Sequence, residues 1–265
     1  MWLRLNNLWL VARCFARFRT ARHKSLPPRR AVIIQRAALG DMVCTTPVFA
    51  VLKRVFPECR LTVVGNSLNG RLLEHNSDVD EYFVWKDVGE TIAFLCRGNF
   101  DIGFLVAPSP ESLAAFILAD VPWVIAPRMS GPTPFQTLSY RLLLRLAAVV
   151  PHALGQYAPR EYLRLLMPLG IDACNTAKKL GYSRVAAENA AHFFAEQKNG
   201  LGTPRVGIVP GAGAKFKEWP AARFGELAVR IWEKYRAQIF IIGGEGDREA
   251  VEHMKRSIPK GVSYV

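Results

Sequence analysis

Residues 31–53, AVIIQRAALGDMVCTTPVFAVLK, carry an apolar run, a short loop that ends in a glycine-acid pair, and then a helical pattern. The run 31–35 is short, rich in β-branched residues and apolar on consecutive rather than alternating positions, which suits a parallel strand buried on both faces. Beyond the loop 36–41, apolar residues recur at Val43, Pro47, Ala50, Val51 and Val55, close to one helical face. The unit reads strand, tight loop, helix. In open α/β sheets such a loop lies at the carboxyl end of its strand, the edge where ligands bind. Gly40 permits close approach of backbone to a ligand, and Asp41 puts a carboxylate beside the first helical turn. Two readings of Asp41 follow from the residues: a helix N-cap, or a carboxylate at the mouth of a cleft that takes a proton from a substrate hydroxyl. Spacing alone does not choose between them.

From residue 31 onward strand and helix patterns alternate, as in a layered parallel sheet. Strands are expected at 31–35, 60–64, 81–85, 101–106 and 122–126, with helices at 68–74, 88–97 and 111–119. A longer apolar helix carrying Arg141 and Arg145 is expected at 136–149. These elements make one domain, residues 31–150. Residues 151–183, punctuated by His152, Pro159, Pro168, Gly170 and Gly181, read as a connection. A second unit, 184–265, starts with a helix at 186–197 and continues strand 205–209, helix 221–235, strand 238–242 and helix 249–257. A strand is just beginning at 262–265. So few strands make a poor sheet, and the expectation is that this second unit is incomplete at its C-terminal side.

The chain of 265 residues is half apolar and carries a net charge of +13, so the location of that charge matters. Residues 1–30 hold Arg4, Arg13, Arg17, Arg19, Arg22, Lys24, Arg29 and Arg30 without one Asp or Glu. Concentration of the excess in this arm argues against nucleic acid as the partner, since the remainder is only modestly basic. Within 1–18, MWLRLNNLWLVARCFARF, Asn6, Arg13 and Arg17 share a narrow helical sector, and Trp2, Trp9, Leu and Phe residues cover most of the rest. Rings that enter a headgroup region beside guanidiniums that meet anionic lipid are what an interfacial helix requires. Packing on its own domain and a secretory signal are the competing readings of the arm. Leu26-Pro27-Pro28-Arg29-Arg30 then ends the arm as a stiff linker. The cysteines, Cys14, Cys44, Cys59, Cys96 and Cys174, are scattered and odd in number, which points away from a disulfide framework or zinc site and toward a reducing compartment. No metal or cofactor is expected, and no stretch offers the roughly 18 consecutive apolar residues of a spanning helix.

A second ligand loop is written at 210–220, PGAGAKFKEWP. Gly211 and Gly213 free backbone N–H groups to face a ligand, Lys215 and Lys217 supply positive charge, and a helix start follows, the means by which phosphate is held. It is neither a Walker loop nor a dinucleotide GxGxxG. A glycine-rich surface turn with two solvated lysines is the plainer reading. Further on, IIGGEGD at 241–247 closes a strand with glycines and then Glu245 and Asp247, acids of the kind that accept hydrogen bonds from ribose hydroxyls. An ordinary turn and helix cap is the alternative there. Cations for a diphosphate and acids for a ribose in one half, with a lone base in the other, describe group transfer across a cleft.

These residues resemble glycosyltransferase family 9, the heptosyltransferase family of lipopolysaccharide core assembly. The resemblance runs from about residue 31 to the end and rests on LGDMVCTTP at 39–47 with HNSDVDEYF at 75–83, on VPGAGAKFKEWPAARFGELA at 209–228, and on FIIGGEGDRE at 240–249. It implies an α/β fold of the two-lobed GT-B type, two Rossmann-like doubly wound parallel-sheet domains facing a cleft. It also implies inverting transfer of a sugar from a nucleotide-sugar donor such as ADP-heptose. By that resemblance Asp41 is the base that deprotonates the acceptor hydroxyl, with Arg36, Gly40 and Thr45 in the acceptor-side loop. Lys217 neutralises the donor diphosphate with Gly211 and Gly213, and Glu245 or Asp247 holds the ribose. Ala212 and Gly213 stand where heptosyltransferases often carry hydroxyl residues, so backbone amides take over those contacts. The family's later glycine-and-histidine loop falls beyond Val265.

The implied partners are a nucleotide-sugar, a lipid-linked or cell-surface glycan acceptor and, through the arm, an anionic membrane surface on the cytoplasmic side. A nucleotide-binding, membrane-associated module without catalysis is the reading from a different class, and dependence on Asp41 separates the two.

Overall fold

The computed structural model describes residues 2–17, 26–131, 133, 136–196, 204–260, 262 and 264, which divide into two compact units, Met1–Ala186 and Ala187–Val265. The first unit runs α1 (Trp2–Arg17), β1 (Arg30–Ile34), α2 (Leu39–Val55), β2 (Arg60–Gly65), α3 (Ser67–Leu73), β3 (Glu81–Val84) and α4 (Val88–Gly98). It continues β4 (Ile102–Leu105), α5 (Pro110–Leu118), β5 (Trp123–Ser130), α6 (Leu138–Leu143), β6 (Ala148–Ala153) and α7 (Ala158–Leu163). The strands form one parallel sheet in the order β3-β2-β1-β4-β5-β6.

The consecutive apolar residues of β1 are explained by this placement. Ala31 and Ile33 bury on one face against Phe49 and Leu52 of α2, while Val32 and Ile34 bury on the other against a core that includes Leu113 and Phe116 of α5. Each Val or Ile so removed from water is worth about 1.5–3 kcal/mol, so a polar residue at any of these positions works against the fold. At Gly103 of β4 an added Cβ would lie 2.9 Å from the Phe116 ring, so the missing side chain is what lets α5 settle on the sheet. Inside α2, Pro47 has no N–H to offer the carbonyl of Val43, and the Thr46 hydroxyl donates to that oxygen instead at 2.9 Å.

The expected helix at 136–149 is corrected by the structure. Only α6 and a 3₁₀ turn, Leu144–Leu146, precede β6, whose Ala148 to Ala153 pair with Ile125 to Ser130 of β5. An apolar run fits a buried helix and a buried strand equally well, and the longer β5 leaves a row of backbone groups that β6 satisfies. The segment read as a connection therefore supplies a strand end and α7. Beyond them Lys179 N–H donates to the Thr46 hydroxyl at 3.0 Å, its carbonyl accepts from Asn76 Nδ2 at 2.9 Å, and its ammonium meets Asp78 at 2.8 Å.

In the arm, Val11 and Cys14 of α1 are buried in the same core as α5, so one face packs on its own unit. Trp9 is 62% and Phe15 42% exposed, Arg13 and Arg17 are exposed, and the Arg13 guanidinium lies over the Trp9 ring at 4.6 Å. The Trp2 side chain and residues 18–25 lie outside the described residues. Among the described residues no helix is long and apolar enough to cross a membrane.

Leading into and forming the second unit are α8 (Arg184–Glu196), β7 (Arg205–Ile208), α9 (Ala221–Tyr235), β8 (Gln238–Ile241) and α10 (Arg248–Arg256). β7 and β8 are parallel, and Tyr264 makes a parallel bridge to Ile239, where a further strand was expected to begin. Ile208, Ala228, Ile239, Met254 and Ile258 form the core. Trp219, the residue before the Pro220 cap, packs edge-on to Phe224 at 4.8 Å. That staple fixes the angle at which the glycine loop enters α9.

Candidate active site

In the first unit the chain leaves β1 toward β2 on one side, whereas β4 lies on its other side and leads to β5. The sheet order reverses between β1 and β4, and the loops at their carboxyl ends diverge there, opening a crevice. A cavity of about 490 Å³ occupies it, with Arg36 and Ala37 from the β1 loop and Ala107, Ser109, Glu111 and Ser112 from the β4 side. Arg36 stacks over Trp85 at 4.1 Å and its Nη1 reaches the Ser112 hydroxyl at 3.4 Å. Burial pushes its pKa below the ordinary arginine value, and the charge of Glu111 opposes that shift.

Asp41 is not the N-cap. Ala38 occupies that position without a side-chain cap, and Asp41 lies two residues into α2, its own N–H donating to the Ala38 carbonyl at 3.0 Å. Its carboxylate is free of capping duty. Oδ1 accepts a hydrogen bond of 3.1 Å from the Tyr162 hydroxyl of α7. Gly40 beside it is exposed, with open space where a Cβ would stand. Thr45 is fully buried: its hydroxyl donates to the Asp41 carbonyl at 2.7 Å and accepts from Gln35 Nε2 at 3.3 Å. Gln35 in turn accepts from Ala37 N–H at 3.2 Å, so Thr45 and Gln35 brace the loop that presents Arg36 and Asp41.

Tyr162 and Gln35 escape sequence reasoning because neither belongs to a motif. Tyr162 is carried by a short helix that contacts α2 from 121 residues away along the chain. Behind it lies His152, 3% exposed, its ring centroid 6.2 Å from that of Tyr162. Burial holds the imidazole below its ordinary pKa, against the favourable charge of neighbouring Glu161. Glu161 is itself buried, accepts from Ala153 N–H at 2.7 Å and meets Arg164 at 3.3 Å.

In the second unit the loops after β7 and β8 meet around a cavity of about 270 Å³, lined by Gly211, Lys215, Trp219, Asp247, Glu249 and His253 among others. Asp247 joins the two loops. Its Oδ2 accepts from Gly244 N–H at 2.8 Å, and its carboxylate lies where a Cβ on Gly211 would stand. The N-termini of α9 and α10 border the same space, which favours an anion. Lys215 lines the cavity and is paired with Glu218 at 3.4 Å. Lys217, Gly213 and Glu245 stand outside the lining, exposed to solvent, with the Lys217 ammonium 5.6 Å from the Phe216 ring. Among the described residues no group of three His, Cys, Asp or Glu side chains is gathered to hold a metal ion.

Comparison with solved structures returns the same architecture. A family 9 glycosyl transferase from Veillonella parvula aligns with a TM-score of 0.70 and 20% identity over 89% of this chain and 68% of its own. The Escherichia coli ADP-heptose lps heptosyltransferase II aligns with a TM-score of 0.65 and 19% identity over 87% and 69%. E. coli heptosyltransferase WaaC, solved with ADP, aligns with a TM-score of 0.61 and 15% identity over 89% and 74%. At such identities the likeness establishes the fold, α/β of the GT-B type. A comparison with curated proteins gives no match. The sequence model of glycosyltransferase family 9 (heptosyltransferase) matches residues 131–263, half of the chain, spanning β6, α7 and both loops of the second cavity. The chain belongs to glycosyltransferase family 9.

Proposed function

We propose that the chain transfers a heptose-like sugar from an ADP-sugar to a hydroxyl of a lipid-linked, lipopolysaccharide-type glycan, with inversion at the anomeric carbon. The observation that carries this reading is Asp41: a carboxylate free of capping duty at the ligand edge of β1, with Oδ1 held by Tyr162 and no hydrogen bond to Oδ2 among the described residues. Oδ2 takes the proton of the acceptor hydroxyl as its oxygen attacks the anomeric carbon. The bond from that carbon to the diphosphate oxygen breaks on the opposite face, which inverts the centre. Negative charge then grows on the departing diphosphate, where backbone amides of 211–213 and the ammonium groups of Lys215 and Lys217 stabilise it. Asp247 or Glu245 accepts from the ribose hydroxyls. ADP as the nucleotide is supported by the named ligand of WaaC, whose fold this chain shares.

The exposed Trp9 and Phe15 beside Arg13 and Arg17 support a peripheral seat on anionic lipid, where the acceptor resides. Deleting the arm would uncover the core around Val11 and Cys14, so point substitutions are the sound test. Trp9→Ser with Phe15→Ser should lower binding to phosphatidylglycerol vesicles and leave the melting midpoint unchanged; unaltered vesicle binding removes the membrane role.

The transfer reading is tested by Asp41→Asn together with calorimetric titration of ADP, GDP and UDP. Loss of a general base should slow transfer by on the order of 10²-fold or more, with ADP affinity unchanged. Retained transfer would identify another base, and failure of all three nucleotides to bind would overturn the donor assignment. ADP binding without transfer even in the wild type would favour the non-catalytic module.

A further inference from the structure

We infer that Tyr162 is a positioning residue for Asp41: its hydroxyl fixes one carboxylate oxygen and so directs the other at the acceptor, an inference that rests on Asp41 being the base. The contact joins two elements far apart in the chain, α7 and the first turn of α2. A half-buried carboxylate in a first helical turn otherwise has more than one rotamer open to it, and a base must lie within hydrogen-bond reach of the proton that it removes.

Tyr162 is built to hold its place. The preceding residue, Glu161, is buried, and its Oε2 anchors the Ala153 N–H at the end of β6. His152, on that same strand, backs the ring. Pro159 and Leu163 on the same helix are buried, Leu163 in the core shared with Phe49 and Leu52 of α2. The phenol also remains a donor throughout the working range. Burial first, and then the neighbouring Asp41 charge, push its pKa well above the ordinary tyrosine value, with only the Gln35 side chain opposing. The hydrogen bond therefore runs one way, from O–H to carboxylate, whenever Asp41 is ionised.

The geometry separates this role from simple packing. A ring at position 162 suffices to fill the space beside His152, whereas only a hydroxyl reaches Asp41. Tyr162→Phe thus keeps the packing and removes the orientation.

The experiment compares wild type, Tyr162→Phe, Asp41→Asn and the double variant. Transfer from ADP-heptose to a deacylated lipopolysaccharide core is followed by release of ADP, and Cζ-labelled tyrosines are followed by NMR. Tyr162→Phe should lower kcat roughly tenfold, the scale of a hydrogen bond to a charged group. The donor KM and the melting midpoint should stay unchanged, and no further loss should follow in the Asp41→Asn background. The Tyr162 Cζ resonance, assigned by its disappearance in Tyr162→Phe, should move in Asp41→Asn. Unchanged kcat in Tyr162→Phe, a loss that persists undiminished in the Asp41→Asn background, or a Cζ signal indifferent to Asp41→Asn overturns the inference while leaving the base assignment intact. Wild-type transfer by Asp41→Asn overturns the base assignment and the inference with it. If the wild type releases no ADP from ADP-heptose, the donor assignment falls, and the Cζ response alone decides whether Tyr162 grips Asp41.

Discussion

Gly211 and Gly213 are separated by one residue in the glycine loop, yet only one of them should respond to substitution by alanine. A methyl on Gly211 would occupy the place of the Asp247 carboxylate, whereas one on Gly213 meets nothing within 4 Å. Neither glycine has a positive φ, so alanine brings no backbone strain at either site and the difference is steric. To admit the methyl at 211, Asp247 must swing away and release the Gly244 N–H that it holds at 2.8 Å. That bond fixes the turn leading into α10 much as a cap does, so its loss should cost about 1 kcal/mol locally. Protection of the Gly244 amide should fall roughly fivefold. Hydrogen exchange read by NMR on both single variants provides the assay. Gly211→Ala should expose the Gly244 amide and, by displacing the β8 loop, weaken ADP. Gly213→Ala should leave that amide protected. Equal exchange in the two variants, or protection retained in Gly211→Ala, would refute the claim that Asp247 couples the two loops.

Three further outcomes follow from the first unit. Glu161→Gln removes the charge that accepts from Ala153 N–H and pairs with Arg164, and should lower stability by roughly 1–3 kcal/mol in urea unfolding; a loss near zero would mean that α7 is held by its apolar face alone. His152 is buried with its pKa held below 6.5, so below about pH 6.5 the unfolded chain binds a proton that the folded chain refuses. Its contribution to stability is complete above that pH and is lost as pH falls toward the folded value; in His152→Gln the melting midpoint should drop less steeply between pH 7.5 and 5, and an identical slope argues against this origin. Gly103→Ala drives a methyl toward the Phe116 ring at 2.9 Å and should cost roughly 1–3 kcal/mol as overpacking, while a neutral result would show that α5 can shift outward.

What the sequence reveals and what it hides divide along physical lines. β1 is legible because burial on both faces demands consecutive apolar residues, and α9 because its amphipathic pattern and Pro220 mark its start. The Asp41 and Gly211 loops stand out in the sequence because each sets glycine beside charged residues directly between a strand pattern and a helix pattern. β6 hides because Ala147, Ala148, Val149 and Val150 carry no period that separates a strand from a helix; only the unpaired edge of β5 decides, and that edge exists in three dimensions alone. Lys215 and Lys217 are indistinguishable as loop cations until the 3₁₀ turn Lys215–Lys217 sets Lys215 at the rim of the cavity and Lys217 off it, both side chains remaining exposed.

Asp41 shows the limit most sharply. Local sequence offers the cap and the base as equals, and the choice between them depends on where the first helical turn begins. The helix opens at Leu39 because Ala38 adopts an extended conformation, φ −65° and ψ 168°, braced by Gln35 holding the Ala37 N–H. That start puts Asp41 inside the turn, where its side chain no longer reaches back to cap and meets Tyr162 instead. A buried glutamine just after the strand thus determines the work open to a carboxylate six residues on. Gln35→Leu should accordingly loosen the loop, shift the helix start and weaken the Tyr162 contact. In the NMR experiment the Tyr162 Cζ signal should then move as it does in Asp41→Asn, and a signal left at its wild-type position would show that the loop holds its conformation without the glutamine.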